Sequence, residues 1–379
     1  MFIRAQLSLL LLLFLTGRSL AMDNPYHLLR TAELPDFYQQ TLPPFWQQNA
    51  QPGEFMGVGE VPIRYVALRN PAGHRAIVLV NGRIESYIKY QELAYELYRQ
   101  GYSVYLYDHR GQGFSGRMLS DPHKGYIEQF SDYTTDLKRF HDQVVMPDQP
   151  NQLYLLTHSM GGTIALDYLG KYPDDFRAAA LCAPMLGIQL GAMPTWLAKL
   201  ITWIMEWSTR LLGLESPYAP TQGRYDPVPF ADNELTHDVV RYERFRQVYR
   251  DFPEVQLGGA TARWLNLALY ATEQLRTQAP RITTPLLILQ AQADTVVRND
   301  SQDEYCLALA ATHHPCDGGK PKVIAGARHE LLNESDEFRM QALEATFEFF
   351  ERNQYLSNEE SIFSARRNWL DLRLGIPRF

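Results

Sequence analysis

The sequence predicts an α/β protein: a mostly parallel central sheet with helices on both faces and a helical cap inserted over one end. Three observations predict it. Short apolar, β-branched runs alternate with helical patterns along most of the chain, as expected for strands joined by crossover helices. One such run, Leu153 to Leu156, stops at the small-residue turn T-H-S-M-G-G of Thr157 to Gly162. The alternation then breaks after Ala183, and about 100 residues pass before the next strand-like run at Pro285, far more than a simple crossover needs.

The elements follow in order. Residues 1–21 read as an export signal, with Arg4 near the start, an apolar stretch from Leu7 to Leu15, and small residues before Ala21. That stretch is short for a membrane span, which takes about 20 residues. Cleavage after Ala21 is expected, with an uncleaved anchor as the alternative. Residues 22–184 form the first part of the core. Ile63 to Leu68 and Ala76 to Val80 read as strands, Gln91 to Arg99 as a helix ended by Gly101, and Ser103 to Tyr107 as the next strand. Tyr133 to Val145 is an amphipathic helix, and Thr163 to Leu169 continues the helix after the small-residue turn. Residues 185–280 form the helical cap. Within it, Thr195 to Leu214 carries Trp196, Trp203 and Trp207, spaced seven and four apart and so on one helix face. That face either packs on the cap's own core or meets lipid, as amphipathic Trp-rich helices do at a bilayer interface. Residues 281–355 form the second part of the core, with strands in Pro285 to Gln290 and after Pro321. Residues 356–379 form a tail rich in Arg and acids.

The small-residue turn carries the chemistry. A strand that ends at a serine, turns sharply and starts a helix lifts the serine hydroxyl above the sheet edge. Ser159 is the candidate nucleophile. Gly161 follows it where a side chain would meet the neighbouring strand, and Thr157 stands where glycine is usual. A serine needs a histidine base, and the histidine needs an acid to hold its tautomer. In this arrangement the chain order is Ser, acid, His. Asp294 lies just past the strand Pro285 to Gln290, and His329 lies in the loop after the strand that follows Pro321. Sites of open α/β sheets lie at such carboxyl ends. Asp300 and Asp303 sit further from the strand end. Among the ten histidines, His158 should point away from the nucleophile, His109 belongs to another turn, and His313 and His314 sit in a surface loop. The oxyanion of a tetrahedral intermediate needs amide donors. Met160, after the nucleophile, supplies one, and Arg83, after the strand Ala76 to Val80, supplies the second, with Ile84 its neighbour. The Arg83 side chain either faces the mouth of the site or is solvated.

Three stretches carry a resemblance. N-G-R-I-E-S-Y-I-K-Y, from Asn81 to Tyr90, resembles the H-G-x-x-E-H-x-x-R-Y stretch of monoacylglycerol lipases. Y-D-H-R-G-Q-G-F-S, from Tyr107 to Ser115, is similar to the D-x-x-G-x-G-x-S turn of α/β-hydrolases, and T-H-S-M-G-G is similar to their elbow. With the Asp294 and His329 stretches, the chain resembles the monoacylglycerol-lipase-like α/β-hydrolases, bacterial lysophospholipases above all, from about Asp36 to Asn353. Asn81 departs from the family's histidine and Thr157 from its glycine. The resemblance implies a serine esterase that releases a fatty acid from lysophospholipids or monoacylglycerols. A proline-type serine aminopeptidase would share the triad and would need cap acids for a substrate amine, with Glu206, Asp226 and Asp232 as candidates. A non-catalytic lipid-binding protein would keep only the shell.

Composition agrees with these classes. The formal net charge of −7 offers no basic face for nucleic acid. No zinc-like His/Cys spacing is present, and neither metal nor cofactor is expected. Cys182 reads as a core thiol. Cys306 and Cys316 either stay free or pair in an oxidising compartment. The expected location is exported: periplasmic, membrane-associated through the cap, or secreted.

Overall fold

The computed structural model describes residues 24–354. The expected leader at 1–21 and tail at 356–379 lie outside the described residues. The sheet has eight strands in the spatial order β1-β2-β4-β3-β5-β6-β7-β8. These are β1 (Ala50–Met56), β2 (Pro62–Leu68), β3 (Arg75–Val80), β4 (Tyr102–Tyr107), β5 (Gln152–His158), β6 (Ala178–Cys182), β7 (Leu286–Ala291) and β8 (Lys322–Ile324). β1 with β2 and β2 with β4 pair antiparallel, and the rest pair parallel. β3 to β8 therefore end along one edge. β4, β6 and β7 are buried at every position, because helices cover both faces of the sheet.

One face packs on helices Ser131–Phe140, Met160–Leu169 and Ala262–Gln278, through Leu137, Phe140, Ile164, Leu166, Trp264 and Leu275. The other packs on helix Gln91–Arg99 and the final helix at 336–354, through Leu93, Leu97, Leu343, Phe347 and Phe350. The expected helix from Tyr133 begins at Ser131 and widens into a π turn over His141–Val145. Two elements go beyond the sequence reading. Residues 31–49 are helical in short pieces, and β1 adds an antiparallel edge despite Pro52 and Gly53. An edge strand tolerates proline because one side of its ladder is unpaired.

Helices Thr195–Leu211, Val239–Asp251 and Ala262–Gln278 lie between β6 and β7. The last joins the sheet's covering layer. It also carries Thr195–Leu211, since Asn266 donates to the Lys199 carbonyl at 3.0 Å and to Thr202 Oγ1 at 2.9 Å. Helix Val239–Asp251 is pinned by a buried arginine. Arg241 donates to Glu92 at 2.9 Å, to Asp238 at 2.8 Å and to the Leu29 carbonyl at 3.1 Å. Arg339 holds the adjacent Glu96 at 3.0 Å. Helix Thr195–Leu211 buries only Ala198 and Thr202. Trp196, Trp203 and Trp207 are 67 %, 55 % and 56 % exposed. They share a face, as their spacing requires, but they do not pack on the cap's own core, and that reading is corrected. Cys306 and Cys316 are joined in a disulfide with Cα atoms 5.8 Å apart, and Cys182 is buried and unpaired.

Candidate active site

β5 ends at His158 and helix Met160–Leu169 starts two residues later. Ser159 makes the turn between them with φ 51° and ψ −119°, a strained conformation for a residue with a side chain. The neighbouring backbone enforces it. A Cβ on Gly161 would stand 2.1 Å from the Val80 carbonyl oxygen, so the helix can approach β3 only with glycine there. The Ser159 carbonyl accepts from Gly162 and Met185 amides, each at 2.9 Å. Thr157 is fully buried beneath the turn and fits without displacing it.

His329 Nε2 lies 3.0 Å from Ser159 Oγ, and His329 Nδ1 lies 2.7 Å from Asp294 Oδ2. The structure thus brings the three residues together in the order needed for proton transfer from the hydroxyl. The other Asp294 oxygen accepts from Val296 at 2.8 Å and Val297 at 3.0 Å. Burial raises the pKa of this carboxyl, but the His329 ring and these two amides outweigh it and hold it below the usual value. Asp300 is turned to Arg298, and Asp303 is near Gln290, so neither reaches His329.

Met160 opens the elbow helix, where first-turn amides have no acceptor within the helix. Arg83 lies in the loop that leaves β3, and that loop is close: a Cβ on Gly82 would be 3.1 Å from Ser159 Cβ. The β3 loop and the start of the elbow helix therefore both adjoin Ser159. The D-x-x-G-x-G-x-S turn holds the loop in place. Asp108 accepts from Tyr87 N at 2.6 Å, Ser86 Oγ at 2.8 Å and Phe114 N at 2.7 Å. Gln112 donates to the Gly82 carbonyl at 2.8 Å and the Glu85 carbonyl at 3.0 Å. His109 Nε2 lies 3.0 Å from the Asn81 carbonyl, and burial lowers its pKa to about 4, which leaves the ring neutral and donating.

Sequence reasoning missed a buried charge cluster behind the triad. Glu85 meets His158 Nδ1 at 2.9 Å and Lys89 Nζ at 2.8 Å, and Lys89 reaches Glu330 at 2.6 Å. Glu85 also accepts from Tyr90 Oη at 2.6 Å and from the Gly82 amide. His158 Nε2 lies 3.2 Å from the His329 carbonyl. The cluster therefore ties the β3 loop to the loop that carries His329. The sequence held Glu85, Lys89 and Tyr90 in the stretch that resembles H-G-x-x-E-H-x-x-R-Y, but an E-x-x-x-K spacing suits a surface pair equally well. Burial alone would lower the pKa of His158, but Glu85 and Glu330 outweigh it and raise it. Donor atoms of Glu85, His158 and Glu330 lie within 4.8 Å of one another. Lys89 and His158 already occupy these carboxylates as cationic partners, so the cluster fits an ion-pair network rather than a metal centre.

Ser159 and His329 open into a cavity of about 890 Å³ under the cap. Met185, Ile188, Met193, Ile201, Leu265 and Val297 give it an apolar wall, and Arg83, Arg224 and Arg246 line it elsewhere. Of the acids weighed for binding an amine, only Asp226 lines the cavity. Glu206 faces Arg263 at 3.4 Å, and Asp232 is exposed on a short turn.

Comparison with known proteins places this geometry. The family Hydrolase_4, described as serine aminopeptidase, S33, matches residues 71–336. Lysophospholipase L2 of Escherichia coli strain K12 is 42 % identical over 86 % of this chain and 94 % of its own. The probable lysophospholipase L2 of Haemophilus influenzae is 34 % identical over 83 % of this chain and 97 % of its own. Among solved structures, a soluble variant of monoglyceride lipase from Saccharomyces cerevisiae superposes with a TM-score of 0.63 at 16 % identity. It covers 80 % of this chain and 96 % of its own. A carboxyl esterase from Bacillus coagulans gives 0.62 at 17 % identity, over 80 % of this chain and 98 % of its own. These two likenesses show the fold. The chain is a serine-type α/β-hydrolase that belongs to the serine aminopeptidase S33 family and is homologous to bacterial lysophospholipase L2.

Proposed function

We propose that this protein is an exported serine esterase that hydrolyses the acyl ester of single-chain lipids, lysophospholipids or monoacylglycerols. The observation that carries the reading is the Ser159–His329–Asp294 series on the floor of a largely apolar cavity. Ser159 attacks the acyl carbonyl while His329 Nε2 takes its proton. Asp294 holds the imidazole tautomer and balances the imidazolium charge. Met160 and Arg83 amides receive the oxyanion. His329 then protonates the leaving glycerol oxygen. Water, activated by the same ring, cleaves the acyl-enzyme to a free fatty acid.

Kinship with lysophospholipase L2 supports the lipid class. The exposed tryptophan face supports membrane contact through the cap, because the same helix lines the cavity with Ala198, Ile201 and Thr202. The leader-like residues 1–21 and the Cys306–Cys316 disulfide support export to an oxidising compartment. The aminopeptidase reading rests on the family's description, and a lone exposed Asp226 on the cavity wall gives it little to hold an amine. The test is a panel of lysophospholipid, monoacylglycerol, short ester and aminoacyl-anilide, with a fluorophosphonate probe alongside. Expected are lipid hydrolysis and labelling, both absent in a folded Ser159→Ala protein. Turnover of the anilide alone would replace the reading by a peptidase. Failure to label would leave a non-catalytic lipid binder.

A further inference from the structure

The cavity holds positive charge for which the ester chemistry has no use. Arg83 Nη2 donates to the Gly258 carbonyl at 2.8 Å, and the guanidinium lies 4.9 Å from the Trp264 ring centroid. Its Nε is buried and has no hydrogen-bond partner. Among the described residues no carboxylate forms an ion pair with it. Burial lowers its pKa to about 10, the direction expected for a cation removed from water without a counter-charge.

Arg246, on helix Val239–Asp251, is partly buried and also lacks a carboxylate partner, and its contacts with Tyr242 and Tyr225 outweigh burial and raise its pKa. Its Nη2 donates to Tyr242 Oη at 2.7 Å, and its Nη1 lies 3.5 Å from Tyr225 Oη. Its Nε is also buried without a partner, and among the described residues it too lacks an ion pair. Both arginines line the cavity, and a chain of contacts joins them along its wall. Gly258, which holds Arg83, packs against the backbone of Gly223, Arg224 and Tyr225. Tyr225 in turn reaches Arg246 and stacks edge-on with Tyr249. Tyr249 Oη donates to the Ile84 carbonyl beside Arg83.

The other charges on this wall are accounted for. Arg224 faces Asp121 at 3.4 Å. Glu85 and Glu330 are held by Lys89 and His158, and Asp226 is exposed. Guanidinium groups that line a cavity with no carboxylate beside them suit an anion that arrives with the substrate. Of the two proposed substrates, only the lysophospholipid offers such an anion on the glycerol that carries the scissile ester, its headgroup phosphate.

We propose that Arg83 and Arg246 form a phosphate subsite that selects lysophospholipids over monoacylglycerols. This deepens the esterase reading and rests on it for the chemistry. The test compares kcat/KM for 1-palmitoyl lysophosphatidylethanolamine and 1-palmitoylglycerol, which share the acyl chain and the ester. A lost charge-assisted contact is worth ~10–100-fold. Arg83→Gln is expected to lower the lysophospholipid-to-monoacylglycerol ratio by that factor, whatever it does to both rates through the nearby amide. Arg246→Gln is expected to lower it as well, and Arg83→Lys to restore part of it. Binding of sn-glycerol 3-phosphate to Ser159→Ala, by calorimetry, is expected to weaken about tenfold or more when Arg83→Gln is added. Ratios within about twofold of the wild type in both glutamine variants would overturn the subsite and leave the esterase standing. So would no binding of glycerol 3-phosphate to a folded Ser159→Ala protein. If the wild type hydrolyses neither lipid, the esterase reading falls, and the calorimetry still decides the phosphate site.

Discussion

Replacing Trp196, Trp203 and Trp207 together with serine separates a lipid-facing cap from a merely solvated one. A tryptophan buries 150–250 Å², so 55–67 % exposure leaves roughly 100–150 Å² of each ring for a membrane to cover. Three rings offer roughly 300–450 Å², an upper bound of ~7–11 kcal/mol at ~25 cal/mol per Å². A third of that bound, ~3 kcal/mol, corresponds to about a hundredfold in partitioning. The cost to the fold should be small. Losing a core tryptophan costs ~3–5 kcal/mol, while a largely exposed one costs on the order of 1 kcal/mol or less. The assay is vesicle flotation, hydrolysis of lysolipid in vesicles, hydrolysis of a short soluble ester, and the melting temperature. Flotation and vesicle hydrolysis should fall by about two orders of magnitude. The soluble rate and the melting temperature should stay near the wild type. A parallel fall in both rates with a large drop in melting temperature would refute the lipid-facing assignment. So would unchanged flotation.

Three further outcomes follow from the geometry. Asp294→Asn should cut kcat by orders of magnitude, because the amide cannot hold the same His329 tautomer, whereas Asp300→Asn should leave it near the wild type. A reversed order in steady-state kinetics would move the acid. The His158 pKa is raised in the fold, so its contact with Glu85 stabilises fully below the ordinary pKa of 6.5 and is lost as pH rises through the higher folded value. Denaturant unfolding should show stability declining with pH above about 6.5, and His158→Gln should flatten that slope. Cys306 and Cys316 are ten residues apart, and closing a loop of that length is worth about 2.5–3 kcal/mol in the chain-entropy account. The double serine variant should unfold at correspondingly lower denaturant, and an unchanged midpoint would deny the bridge.

The triad was legible because each member sits at a strand end, and strand ends are readable from short apolar runs. Ser159, Asp294 and His329 needed only local pattern and chain order. What could not be read depends on contacts between distant segments. Glu85 meets His158 73 positions later, and Arg241 meets Glu92 149 positions earlier. No local spacing distinguishes such buried ions from solvated ones. Residues 31–49 escaped because Pro35, Pro43 and Pro44 break the helical pattern, yet Pro35 lies at the start of one short piece and Pro43 and Pro44 in the first turn of another, where a missing amide costs little. The tryptophan stripe fixed a face but not what that face meets.

The cap helices are fastened very differently. Val239–Asp251 is held by Arg241 in a buried ionic knot that also clasps residues near the N-terminus. Thr195–Leu211 buries two small side chains and rests on its neighbour through Asn266 and the Lys199–Glu273 pair. Regions with few buried contacts open at low free energy, while those tied into the core open only with the whole fold. In deuterium, amides of Thr195–Leu211 should therefore exchange early and those of Val239–Asp251 late. The cavity then has one hinged wall and one fixed post. On the proposed function, the tryptophan-bearing wall is the one that yields to an acyl chain, while Arg246 stays with the fixed helix.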